Sequence, residues 1–248
     1  MIVDSNLTFL QYCTNDDLRS LCDILTHNNK GEIRLSEQLT GSDSYMRCYP
    51  NNMHEMWTDI AAELQKFGGN TFANLFRGGT GISYDSILHD VCKKVEVNLP
   101  SLISVEEAER MLLMKYFEKA INMMDFDLLC KLSAEIDVEP KNYNKQMLVT
   151  AILIALRQSG GKLFGPVIYF IGANIGKILV SRGLYYAFGG TLGRAIGVLT
   201  GPIGWAITAG WLAYDIASPA YRVTVPAVLM VACMRAKFNS HLLSVSFR

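Results

Sequence analysis

The segment FRGGTGISYD, residues 76–85, carries the residue types of a phosphate-binding loop. Gly78, Gly79 and Gly81 would let backbone N–H groups approach a phosphate, and Thr80 would supply a hydroxyl. A loop of the P-loop type also needs a buried strand before it and a lysine after it. Neither feature is present around this segment. A turn between helices is therefore the favoured interpretation, and nucleotide binding is the alternative.

Cysteine and histidine occur together in two places, where a zinc site would be the functional interpretation. His89 and Cys92 share a helical face, and Cys13, Cys22 and His27 lie in one stretch of the chain. Neither set has the paired close spacings of protein zinc sites. We therefore predict no metal site and no cofactor, with these cysteines in the core and the histidines at the surface.

Carboxylates are densest at Glu106, Glu107 and Glu109, just after Ser104. Ser104 and Glu107 have the spacing of a capping box, which places these acids in a first helical turn. There they complement the helix dipole and need no acid–base role. The four scattered histidines also define no nucleophile–histidine pair. We therefore predict that the protein is not an enzyme.

Apolar residues recur at helical spacing through the first part of the chain. Thr14 has the position of a helix cap, with Asp17 three residues later. A second helix is expected to begin near Asn52 and to end at Gly68. Alternation with period two is rare, so the sequence predicts an all-α bundle. The apolar positions that define helical faces are Leu18, Leu21, Cys22 and Leu25; Met53, Met56, Trp57, Ile60, Ala61 and Leu64; Tyr84, Ile87, Leu88, Val91, Cys92 and Val95; and Leu112, Leu113, Tyr116, Phe117 and Ala120.

Charge divides the chain into two parts although its net charge is zero. Residues 147–248 contain nine Lys and Arg against one acid, a net of +8, and the preceding residues carry a net of −8. This predicts an acidic amphipathic helical module over residues 1–141 and a basic, glycine-rich apolar module over residues 142–248. Such asymmetry indicates either that the two parts pack together or that the basic part faces an anionic surface.

The six cysteines have no regular framework spacing, and Asp4 and Asn6 interrupt the first apolar run. Free thiols, a cytoplasmic location and no signal peptide are the resulting expectations.

Residues 184–214 contain a single charged residue, Arg194. Gly201 and Pro202 interrupt this run, so a helical hairpin with arms near residues 184–200 and 202–216 is predicted rather than one continuous span. Arg194 is expected either to extend its charged group to the membrane interface or to pair with Asp215 if the arms are antiparallel. Trp205 and Trp211 suit either a membrane interface or a protein core.

Glycine spacing around this run suggests close helix packing. Intervals of four and seven residues line one helical face with small side chains, where another backbone can approach. Glycine costs a helix about 1 kcal/mol relative to alanine, so packing or lipid has to offset that cost. The partner is either another copy of the chain, which we favour, or the protein's own core. The glycines and their neighbours predicted to mediate membrane binding or self-association are Gly176, Gly183, Gly190, Gly193, Gly197, Gly201, Pro202, Gly204, Trp205 and Trp211.

A last apolar run follows Pro219 and is too short to span a membrane but long enough to close a core. Pro226 is expected in its first helical turn, and Arg235 and Lys237 at its C-terminal end, where the dipole favours bases.

Four separated segments of the chain carry a family resemblance, and they are LTFLQYCTNDDL, LTHNNKGEIRLSEQL, AAELQKFGGNTFANLFRGG and GPIGWAITAGWLAYDIASPAYRVTVPAVLMVACMR. These segments resemble the YaaW-like family of bacterial proteins. The resemblance covers most of the chain. Through a loose relation to ubiquinol–cytochrome c chaperones it implies a helical fold and a role in assembly. It transfers no catalytic residue.

These features predict a non-enzymatic helical protein that shields a hydrophobic hairpin and associates with membranes or with copies of itself. Pore formation or membrane perturbation would be the analogous activity. The alternative is a helical chaperone or scaffold that binds a client protein. The expected partners are an anionic membrane surface, further copies or a client, without nucleic acid. The expected location is the cytoplasm, peripheral to or conditionally inserted in the inner membrane.

Overall fold

The described helices form an all-α bundle. The computed structural model describes residues 4–28, 32–35, 37–71, 82–139, 143–171 and 221–245. Within these ranges there is no strand, and one isolated antiparallel bridge joins His27 and Ile33. The helices are α1 (Asn15–Thr26), α2 (Asp43–Cys48), α3 (Trp57–Thr71), α4 (Tyr84–Lys94), α5 (Val105–Met123), α6 (Phe126–Glu135), α7 (Lys145–Gln158), α8 (residues 164–171) and α9 (Tyr221–Val245), with 3-10 helices at Ser5–Tyr12 and Met53–Met56.

Side-chain caps fix the beginnings of several helices. The Thr14 hydroxyl accepts a hydrogen bond from the Asp17 backbone N–H at 3.2 Å, and Ser104 accepts one from Glu107 at 3.2 Å. Each bond satisfies one of the N–H groups that a helix start leaves without an intrahelical partner. Both caps predicted from the sequence are therefore confirmed.

Helix α9 packs against four helices from earlier in the chain, namely α1, α3, α4 and α5. Its residues from Val225 to Met234 are buried, so the last apolar run does close a core. The division of the chain into residues 1–141 and 142–248 stays a prediction. Helix α9, which lies beyond residue 141, nevertheless packs into the core formed by α1, α4 and α5.

Two predicted helix boundaries are wrong. Helix α3 does not end at Gly68 but continues to Thr71. Gly68 instead allows close packing, because a Cβ atom at this position would overlap the Ile87 side chain of α4. Helix α9 contains Pro226 in its interior and continues to Val245, so Arg235 and Lys237 do not lie at its C-terminal end.

The hairpin predicted over residues 184–216 lies outside the described residues. The same holds for the glycine series from Gly176 to Gly204, for the Arg194–Asp215 pair, for Trp205 and Trp211, and for Gly78–Gly81. Among the helices that the structure does describe, none is both long and apolar enough to cross a membrane.

Candidate functional site

A buried ion pair joins α9 to α5. The Nε of Arg235 lies 2.6 Å from Oε2 of Glu109, and only 10% and 3% of the two side chains are exposed. The Tyr84 hydroxyl of α4 donates to the other carboxylate oxygen, Oε1, at 2.7 Å. Each carboxylate oxygen of Glu109 thus accepts one hydrogen bond, and helices α4, α5 and α9 meet at this carboxylate.

The 3-10 helix Ser5–Tyr12 completes the surroundings of Arg235. The Nη2 of Arg235 donates to the Asn6 carbonyl at 2.5 Å, and its guanidinium lies 4.1 Å from the centre of the Phe9 ring. A guanidinium over an aromatic face is attracted by the electron density of the ring. The cation is therefore shared between a carboxylate, a carbonyl and a ring rather than left in the core alone.

A second ion pair lies two residues nearer the end of α9. The Nζ of Lys237 is 2.7 Å from both carboxylate oxygens of Asp17 in α1. Phe238 stacks on Tyr12 with ring centres 5.7 Å apart. We call the contacts of Arg235, Lys237 and Phe238 with α1, α5 and the 3-10 helix Ser5–Tyr12 the α9 clasp, and we include Tyr84 through its hydrogen bond to Glu109.

Burial has the largest effect on the pKa values of Glu109 and Tyr84 in the α9 clasp. It raises the pKa of the Glu109 carboxyl, while Arg235 and the hydrogen bond from Tyr84 oppose that shift. Burial also raises the pKa of Tyr84 well above its ordinary value, and the negative charge of Glu109 adds to the effect. Tyr84 is therefore a neutral hydrogen-bond donor at neutral pH.

The sequence assigned Glu109 to a first helical turn with a dipole role, and this prediction is wrong. Glu106 and Glu107 do occupy the first turn of α5, whereas Glu109 points into the core and pairs with Arg235. The sequence does contain a signal for this pair, because the basic residue Arg235 directly follows an apolar run. The sequence does not indicate which carboxylate pairs with Arg235.

The cysteine and histidine candidates do not form a metal site. Burial raises the pKa of the Cys13 and Cys92 thiols to about 12, which keeps both thiols protonated. The Nδ1 of His89 lies 2.9 Å from the Asp85 carbonyl on its own helix. Across the described residues, no group of three His, Cys, Asp or Glu side chains could hold a metal ion. All six cysteines are free thiols, which confirms the expectation drawn from their spacing.

An open groove of about 840 Å³ lies beside α5, where it meets the end of α7 and the beginning of α8. Apolar groups in its lining include Met111, Met114, Leu156 and Phe164, and four basic side chains also line it. The turn at Gly160 and Gly161 has positive φ angles of 59° and 95°. Such angles favour glycine.

The Gly160–Gly161 turn positions one of these basic side chains. Arg110 donates to the Gly160 carbonyl at 2.7 Å and also pairs with Glu107 on its own helix. A Cβ atom at Gly161 would approach the Arg110 Cδ to 3.1 Å, so a larger residue would disturb this arrangement. The sequence did not single out this groove, because its walls come from segments separated by many residues.

Comparison with known proteins assigns the family. A UPF0174 protein of Helicobacter pylori strain J99 is 36% identical over 235 residues, which cover 94% of this chain and 92% of the relative. The UPF0174 protein YaaW of Escherichia coli K12 is 32% identical over 234 residues, 94% of each chain. This chain belongs to the UPF0174 family. The predicted resemblance to YaaW is thereby confirmed.

A family model described as a domain of unknown function, DUF3944, matches residues 1–35. In this UPF0174 protein that segment contributes Asn6, Phe9 and Asp17 to the α9 clasp, so its described part is integrated into the bundle. No solved structure matches the chain. The names of the relatives given above do not mention a chaperone, and that relation stays a prediction.

Proposed function

We propose that this UPF0174 protein is a non-enzymatic helical protein that associates with anionic membrane surfaces, or with further copies of itself, through the apolar residues 184–216. In this proposal the described bundle holds and shields the apolar segment. Membrane perturbation or pore formation would be its strongest effect. The site of action would be the cytoplasmic face of the inner membrane.

The observation that carries the proposal is the position of the apolar segment in the chain. Residues 172–220 connect α8 to α9, and both helices pack on α5. Phe164 at the beginning of α8 makes an edge contact with Phe117 of α5 at 5.0 Å between ring centres. A run with one charge in residues 184–214 is thus attached at both ends to the same bundle.

The distribution of basic residues gives the second support. Arg235 and Lys237 are engaged in the α9 clasp, so they do not contribute to a basic outer surface. Lys177, Arg182 and Arg194 lie within or beside the apolar segment. Each basic residue near an anionic bilayer surface contributes about 1 kcal/mol to binding. Attraction by these three bases would concentrate binding on the segment that carries the apolar residues.

Co-sedimentation of the full-length protein with vesicles tests the proposal. We expect binding to vesicles that contain anionic lipid, with little binding to neutral ones, and a decrease at high salt because salt screens surface charges. The double substitution Lys177→Glu and Arg182→Glu should weaken binding by at least roughly tenfold. Lys131→Glu, on the exposed face of α6, is the matched control and should bind as the wild type does. Absence of sedimentation with either vesicle at low salt would abandon the membrane proposal.

Exposed apolar side chains on α7 favour the second candidate, a helical chaperone or scaffold that binds a client protein. Met147 is 50% exposed and Ile154 is 44% exposed. They lie seven residues apart, about two turns, on one helical face. A client helix would pack on such a stripe. Ile154→Glu should then abolish client binding without any effect on vesicle binding.

A further inference from the structure

A short extended edge follows α1, where residues 32–34 run antiparallel to residues 26–28. Two backbone hydrogen bonds of 2.8 Å hold this pairing, and they run from Asn28 to Glu32 and from Arg34 to Thr26. These bonds lie on either side of the His27–Ile33 bridge, so Ile33 occupies a non-hydrogen-bonded position of the pair. At such a position the backbone N–H and C=O groups point away from the neighbouring strand.

The outward side of this edge is open. Within the described part of the chain, neither the N–H nor the C=O of Ile33 has a hydrogen-bond partner. The side chain of Ile33 is 57% exposed, and that of Leu35 is fully exposed. Free backbone groups beside exposed apolar side chains form a template on which a further extended strand can pair.

The charged residues of the edge lack counter-ions. The Nε of Arg34 is buried without a hydrogen-bond partner, and burial lowers the pKa of its guanidinium. The exposed carboxylate of Glu32 accepts a hydrogen bond from the Asn28 side chain at 2.9 Å. Across the described residues, neither Arg34 nor Glu32 forms an ion pair. A carboxylate supplied from outside would therefore stabilise the charged form of Arg34.

The edge is complementary to itself in the antiparallel direction. When two copies pair about Ile33, the two Ile33 residues exchange their outward N–H and C=O groups, and Glu32 of each copy lies opposite Arg34 of the other. Residues directly opposite each other share one face of a sheet, and opposite charges at these positions stabilise the pairing. A pairing centred on Arg34 would instead place two guanidinium groups opposite each other. The charges therefore select the register centred on Ile33.

We propose that this UPF0174 protein forms a two-fold dimer in which residues 32–34 of two copies pair as antiparallel strands, with Glu32 opposite Arg34 of the second copy. Such a contact uses the same surface on both copies and closes after two. The edge belongs to the described bundle and not to residues 184–216. The inference therefore goes beyond the proposed function and can be tested separately from it.

Sedimentation equilibrium of the full-length protein at a series of concentrations tests this dimer. We expect a monomer–dimer equilibrium for the wild type. Arg34→Glu and Glu32→Arg should each weaken the dimer by at least about tenfold, because like charges then face each other at both ends of the pairing. Lys131→Glu, on the exposed face of α6, is the matched charge-reversal control and should dimerise as the wild type does.

A mixture of the Arg34→Glu and Glu32→Arg proteins is the sharpest test, because every opposed pair across the edge is then again of opposite sign. We expect the mixture to form a dimer of one chain of each variant. Ile33→Pro should prevent dimerisation, since proline lacks the outward N–H while the two hydrogen bonds within the chain remain.

Thermal melts establish that each variant is folded, and if Arg34→Glu is not, Glu32→Arg and Ile33→Pro decide the outcome. A monomeric wild type, or a mixture of folded variants that stays monomeric, would overturn the dimer. Oligomers of equal mass in the wild type and in the folded edge variants would also overturn it. That last result would leave self-association through residues 184–216 intact, so failure of this inference is distinguishable from failure of the proposed function.

Discussion

At the scale of residues, the Arg235–Glu109 pair is a buried polar contact between distant parts of the chain. A buried ion pair gains Coulomb energy but loses the hydration of both ions, so its net contribution to stability is small. Its consequence appears when one partner is removed, because the other charge is then buried without compensation. The pair therefore specifies where α9 docks rather than providing a large share of the stability.

Glu109→Ala tests this interpretation. The substitution leaves the Arg235 guanidinium and the Tyr84 hydroxyl without their carboxylate, and we expect the free energy of unfolding to fall by about 3–5 kcal/mol. Urea denaturation followed by circular dichroism measures the change. Glu106→Ala, exposed in the first turn of the same helix, is the control and should cost less than about 1 kcal/mol. Equal effects of the two substitutions would argue against the clasp.

Thiol chemistry gives a second prediction at this scale. Burial raises the pKa of the Cys13 and Cys92 thiols to about 12 and also raises those of Cys22 and Cys233. Because the thiolate is the reactive form, these four thiols should be nearly inert in the folded protein at neutral pH.

Titration with a thiol reagent measures this reactivity. Cys130 is half-buried, and we expect it to react first. Cys130→Ser should remove the fast phase, while all six thiols of the wild type react in denaturant. A fast phase that persists in this variant would place an accessible thiol elsewhere and contradict the burial seen here.

At the scale of elements, periodicity and capping chemistry predicted most of the helices that surround the core. The Thr14 and Ser104 caps are local, since each involves a residue three positions away, and so they can be read from the sequence. The α9 boundaries could not be read in this way. Proline in a helix interior costs about 3 kcal/mol, yet α9 continues through Pro226. Tertiary packing of the buried α9 residues from Val225 onward compensates for this cost.

Gly68 shows how one residue type supports two interpretations. Glycine near the end of an apolar pattern predicts a helix stop, but here it permits α3 to approach α4 at Ile87. Which of these two roles Gly68 has depends on Ile87, a neighbour in space that is distant in the sequence. The same limit applies to Glu109 and to the groove, whose partners are distant in the chain.

Gly68→Ala tests the close approach of α3 and α4. Alanine has the higher helix propensity, so local preference alone would make the substitution stabilising. We expect the opposite, a loss of about 1–3 kcal/mol, because the new methyl group overlaps the Ile87 side chain.

Gly41→Ala provides the matched control, since its Cβ would meet only the Gln38 carbonyl oxygen, at 3.8 Å. Thermal melts of both variants should therefore show a lower transition temperature for Gly68→Ala and almost none of this loss for Gly41→Ala. A stabilised Gly68→Ala variant would mean that α3 and α4 are not in close contact.

At the scale of the whole molecule, oppositely charged residues from the two parts of the chain form specific ion pairs. Arg235–Glu109 and Lys237–Asp17 each join a base of the C-terminal part to an acid of the N-terminal part. The sequence offered packing or an anionic surface as explanations of this asymmetry. For these two bases the structure shows packing. The bases beside the apolar segment remain the ones expected to meet an anionic surface.

Under the proposed function, residues 184–216, and not the described bundle, mediate membrane association. The most direct test is vesicle flotation of a variant in which these residues are replaced by a Gly-Ser linker, compared with the wild type. A thermal melt first establishes that the bundle of the variant is folded. We predict that the wild type floats with anionic vesicles and that the folded variant stays at the bottom of the gradient. A folded variant that floats as well as the wild type would show that residues 184–216 do not mediate membrane binding.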